Sequence, residues 1–106
     1  MAQDNQQSQG TPGIKQQTRT TTDVPRRYRV VMHNDDVTTM DFVVEVLETV
    51  FRKSTAEATT LMLQIHTGGS AVVGIYSYDI AITRASKATQ KARAEGFPLR
   101  ITVEPE

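Results

Sequence analysis

YRVVMHNDDVTTMDFVVEVLETVFR, residues 28–52, changes its hydrophobic period once, and that change decides the fold. Tyr28, Val30 and Met32 alternate with Arg29, Val31 and His33, the period of two expected of a strand with one buried and one wetter face. Asn34-Asp35-Asp36 interrupts it, because these short polar side chains bond local backbone and favour turns. From Thr39 to Arg52 the apolar residues Phe42, Val43, Val46, Leu47 and Val50 recur at helical spacing, with Asp41, Glu45 and Glu48 on the other side. Thr38 or Thr39 is suited to cap that helix.

Further along, Ser54-Thr55-Ala56-Glu57 has the form of a capping box and starts a second helix. Its inner stripe is Ala58, Leu61, Met62 and Ile65, with His66 at the edge, and Thr67-Gly68-Gly69-Ser70 stops it. Ala71–Tyr76 reads as a short, largely buried strand. A third helix opens at Ser77 or Tyr78 with an inner row of Ala81, Ala85, Ala88 and Ala92, small enough to approach a sheet closely. Gly96 and Pro98 end it, and Leu99, Ile101 and Val103 alternate with polar residues in a last strand. The order βααβαβ with short connections predicts one α+β domain over 26–106: a three-stranded antiparallel sheet with three helices packed on one side. Strand order stays open.

Residues 1–25 are of another kind. They are rich in Gln, Thr, Ser, Asn and Gly, and Ile14 is almost their only large aliphatic residue. Such a composition cannot bury enough apolar surface to offset the entropy of ordering, so a disordered extension is expected. The 106 residues have a formal net charge of zero and no cysteine. A long-range field for nucleic acid or membrane is therefore not expected, and disulfides and thiolate zinc sites are excluded. No apolar run is long enough to span a bilayer and no secretory leader is evident, so the expectation is a cytoplasmic protein.

The densest polar set is His33, Asn34, Asp35 and Asp36, with His66 as a second candidate. As metal ligands their spacing matches no standard motif. As a hydrolase they lack a nucleophile elbow, a phosphate loop and a cofactor fingerprint. The basic side of the third helix, Arg84, Lys87, Lys91 and Arg93, has no interleaved aromatics and reads as a solvated face. The residues alone leave two readings: a binding cluster, or merely a turn and helix entry beside a half-buried histidine.

Two stretches, YRVVMHNDDVTTMDFV (28–43) and LMLQIHTGGSAVVG (61–74), resemble the signature regions of the ClpS adaptor proteins, which serve the ATP-dependent Clp proteases. The likeness covers about Arg26 to Glu106. It implies a non-enzymatic adaptor, without a cofactor and monomeric. Such a protein binds N-degrons, substrates whose first residue is Leu, Phe, Tyr or Trp, and hands them to an AAA+ Clp unfoldase (ClpA or a relative) for degradation by ClpP. Position by position, Asn34, Asp36 and His66 match residues that hold the substrate's α-amino group, with Asp35 beside them. Thr38, Met40, Val43, Met62, Ile65 and Leu99 match the lining of the pocket for the first side chain, Met40 being the gate against β-branched residues. Asp79 and Arg84 match charged positions used for docking on the unfoldase. His33 stands where the family has an aliphatic residue next to the pocket. Val37 and Thr39 replace Tyr and Pro without an expected effect on ligand contacts. Ile82 and Arg84 stand where Glu and Lys are usual. The extension at residues 1–25 fits an arm that the unfoldase engages during delivery.

Overall fold

The computed structural model describes residues 26–106, so the extension expected at 1–25 lies outside the described residues. The alternating segment forms β1 (Tyr28–His33), which lies between β2 (Ser70–Tyr76) and β3 (Arg100–Pro105) in an antiparallel sheet of order β2-β1-β3. Antiparallel sheets tolerate water on one face, and this one has its helices on the other. Val30, Met32 and Val73 point into the core with Phe42, Val46, Leu47, Ala58 and Ile65, closed by the row Ala81, Ala85, Ala88 and Ala92. The pairing shifts between Val30 and Val31, from Gly74 to Val72, so that Val73 is the extra residue of a bulge and turns inward.

Local chemistry sets the helix ends. Helix α1 (Met40–Thr49) starts where the Thr39 hydroxyl accepts the Phe42 N–H at 3.1 Å. It is shorter than the periodicity to Arg52 suggests. Arg52 adopts φ 58°, and Lys53 N–H returns to the Leu47 carbonyl at 3.0 Å, which turns the chain into α2 (Thr55–Gly68). There the capping box is complete: Ser54 Oγ accepts from Glu57 N–H at 3.2 Å, and Glu57 accepts from Ser54 N–H at 3.0 Å. Gly69, at φ 93°, ends α2 in the left-handed conformation that glycine adopts without strain. Helix α3 (Tyr78–Ala94) lies across the sheet on its alanine row.

The expectation of a largely buried second strand is corrected. β2 is an edge strand, and only Val73 in it is fully buried, while Val72 and Ile75 face the open side. An apolar run alone does not distinguish an edge strand with one solvated face from a strand covered on both sides.

Candidate functional site

The site begins where β1 ends. Asn34 N–H donates to the Gly69 carbonyl at 2.8 Å, which ties the start of the polar turn to the C-terminal end of α2. Asp35 then shapes the turn. Its Oδ1 accepts the N–H groups of Val37 at 2.8 Å and Thr38 at 2.7 Å, and its Oδ2 accepts the Thr38 hydroxyl at 2.8 Å. Burial opposes the charge of Asp35, but the Thr38 and Val37 bonds and the Arg93 charge outweigh it and hold the carboxyl below its usual range. Its oxygens are thus turned to the backbone. The hydrogen bonds described for this turn run through Asp35 and the Asn34 backbone, and the side chains of Asn34, Asp36 and His66 are exposed.

Between this turn, α1 and α2 lies a cavity of about 430 Å³, lined by Asn34, Asp35, Asp36, Val37, Thr38, Thr39, Met40, Val43, Met62, Ile65 and His66. Two segments some thirty residues apart in sequence therefore meet in one hollow. Val43 and Ile65 belong to the buried core and close its inner side, and Met62 is half-buried. Val37 and Met40 are exposed at its mouth. The hollow is polar along one wall and apolar at its base, so it fits a ligand with a polar head and a greasy body.

A second cavity, of about 360 Å³, opens where the end of α1 meets the first half of α3. Thr49, Val50, Arg52, Asp79, Ile80, Thr83, Arg84 and Lys87 line it. Arg84 is held from two sides: it donates to the Val50 carbonyl at 3.1 Å and lies over the Tyr76 ring, 5.1 Å from its centroid. Burial pushes the Tyr76 phenol up, against the pull of Arg84.

A family model described as "ATP-dependent Clp protease adaptor protein ClpS" matches residues 23–102. The chain belongs to the ClpS family. The ATP-dependent Clp protease adapter protein ClpS of Desulfatibacillum aliphaticivorans is 48% identical over 80% of this chain and 82% of its own length. That of Deinococcus radiodurans is 46% identical over 92% of this chain and 89% of its own. A solved structure of Agrobacterium tumefaciens ClpS2 bound to L-phenylalaninamide aligns with a TM-score of 0.76 at 44% identity, covering 78% of this chain and 100% of that one.

Against the residues that the ClpS resemblance selects, the structure brings Asn34, Asp35, Asp36, Thr38, Met40, Val43, Met62, Ile65 and His66 to the first cavity. Leu99 is not on its wall. It is 1% exposed and packs in the core, and its carbonyl accepts from Arg93 at 2.9 Å. Asp79 and Arg84 share the second cavity. His33 does not border the first: it pairs with Ser70 and Arg100 across the sheet and bonds Thr102 at 2.8 Å on the open face. An odd-numbered position on a strand whose even-numbered residues are core must point away from the helices. Conversely, Val37 and Thr39 do line the cavity. The signal for Val37 was available in the sequence, as a large apolar residue set within a polar turn. Among the described residues no group of three or more His, Asp or Glu side chains could hold a metal ion. No described helix is long and apolar enough to cross a membrane.

Proposed function

We propose that this Clp protease adaptor recognises the free α-amino group and large hydrophobic first residue of N-degron substrates, Leu, Phe, Tyr or Trp. It then delivers them to an AAA+ Clp unfoldase, ClpA or a relative, for degradation by ClpP. The observation that carries this reading is the single hollow in which Asn34, Asp36 and His66 stand over an apolar base of Val43, Met62 and Ile65. An α-ammonium is a positive charge with three donors, and an amide oxygen, a carboxylate and a neutral imidazole are its natural acceptors. Charge-assisted bonds of this kind contribute about 1.5–3 kcal/mol each, and burying a Leu or Phe side chain about as much again. After association costs, that supports affinity in the micromolar range, roughly −8 kcal/mol. The ligand in the related Agrobacterium structure, L-phenylalaninamide, has these two features, with its amide standing for the first peptide bond of a substrate.

The chain's own role is binding, without covalent chemistry. Asp79, Arg84 and the rest of the second cavity are the proposed docking face for the unfoldase, and the work is placed in the cytoplasm, by a monomer. The decisive measurement is fluorescence anisotropy with a Phe-initiated peptide, its N-acetylated twin and a Met-initiated control. The first alone should bind, and Asn34→Ala and His66→Ala should each weaken it roughly tenfold or more while the domain still melts cooperatively. Equal binding of the acetylated peptide would remove the basis of the proposal.

A further inference from the structure

We infer that Val37 is a specificity-determining residue, forming with Met40 an apolar seat for the second side chain of a bound N-terminus, so that the preferred ligands begin with two apolar residues. This rests on the N-degron reading and extends it by one position. Val37 is 59% exposed and Met40 48% exposed, and both line the cavity at its mouth, whereas Val43 and Ile65 at its base are 6% and 2% exposed. Scattered single apolar residues on a surface need no explanation, but two that line the same cavity, both exposed, add apolar surface to its rim. Val37 is also held in place. Its own N–H and that of Thr38 both donate to Asp35, at 2.8 and 2.7 Å, so the backbone that carries the side chain is fixed before a ligand arrives.

The path of a ligand explains the use of such a seat. With the ammonium at Asn34, Asp36 and His66 and the first side chain on Val43 and Ile65, the chain must leave through the mouth. The next Cα is about 3.8 Å away, and successive side chains of an extended chain point to opposite sides. The second side chain therefore cannot follow the first inward, and it meets the rim. The Asp35 and Asp36 carboxylates beside Val37 make that rim unfavourable to an acidic second residue.

The test uses the full chain and three peptides that are identical except at their start: Phe-Leu, Phe-Gly and Phe-Asp. Anisotropy should rank them in that order, with Phe-Leu roughly three- to tenfold tighter than Phe-Gly. Val37→Ser should lower the Leu-to-Gly ratio at least about twofold, Met40 keeping the remainder, and Val37→Ile should retain it, since burial of the apolar second residue is its source. Equal affinities in the unsubstituted chain, or a ratio that Val37→Ser leaves unchanged, would overturn this inference alone. If none of the three peptides binds, the adaptor reading fails and the inference goes with it.

Discussion

His33 stands on the open face of the sheet with Arg100 and Thr102, immediately before the Asn34-Asp35-Asp36 turn. Arg100 can only donate, so the 3.4 Å contact from its Nη2 makes His33 Nδ1 the acceptor and leaves Nε2–H to donate to Thr102 Oγ1 at 2.8 Å. That arrangement suits only the neutral ring. Burial lowers the pKa of His33 from 6.5, the Arg100 charge lowers it further, and Glu104 pulls the other way. The sign follows from proton binding: just below 6.5 the unfolded chain takes up a proton that the folded chain refuses, so stability falls with pH there and levels off below the folded value. His33→Leu removes that acid penalty. The difference in melting temperature between variant and unsubstituted chain should move in the variant's favour between pH 7.5 and pH 5. Solvent screening at a half-exposed site limits the change to the order of a few degrees. A difference that stays constant over that range would show that His33 titrates alike in the folded and unfolded chain.

At the scale of elements, β2 is coupled to α3 through a contact that has no mark in the hydrophobic pattern. A methyl group at Gly74 would collide with the Tyr76 ring two residues on, and that ring is the platform under Arg84. In an open strand, Gly→Ala would add about 0.5–1 kcal/mol of stability by limiting the unfolded chain. Here the collision forces Tyr76 aside, at a cost of about 1–3 kcal/mol for overpacking. Gly74→Ala should therefore lower the melting temperature, and it should shift the ring resonances of Tyr76 as Arg84 loses its platform. A variant as stable as the parent would mean that the ring swings away freely. The same element marks where the sequence could be read and where it could not. The capping box at Ser54 and the alanine row of α3 were legible because each depends on residues within a few positions. That β2 lies at an edge, and that a bulge turns Val73 inward, depend on pairing with β1 some forty residues away. Leu99 illustrates the same limit: alternation marks it as apolar and inward, but whether it borders the cavity or the core behind it depends on tertiary packing.

For the whole molecule, the decisive relation is between the two cavities, and α1 sets it. Met40 and Val43 at its start line the first cavity, while Thr49 and Val50 at its end line the second. Nine residues separate Met40 from Thr49, roughly 14 Å along a helix axis. A substrate N-terminus in the first cavity, as proposed, would therefore leave the second open, so that the proposed carrying and docking could occur at the same time. Protein interiors are close-packed, and with no shared lining residue the two sites are expected to bind independently. Asp79→Lys tests that separation better than a change at Arg84, because Arg84 also braces Val50 and Tyr76. Asp79 is exposed in the first turn of α3, so its reversal should cost at most about 1 kcal/mol through the helix dipole. Affinity for a Phe-initiated peptide should stay within about twofold of the parent, since Asp79 lines the cavity at the far end of α1 and the helix's rise of roughly 14 Å exceeds a Debye length of about 8 Å. Degradation of a Phe-initiated reporter by a reconstituted Clp unfoldase and protease should fall roughly fivefold or more if one charged contact across the docking face is inverted. Loss of peptide binding together with delivery would mean that the cavities are coupled through α1. Unimpaired delivery would move the docking face elsewhere on the molecule.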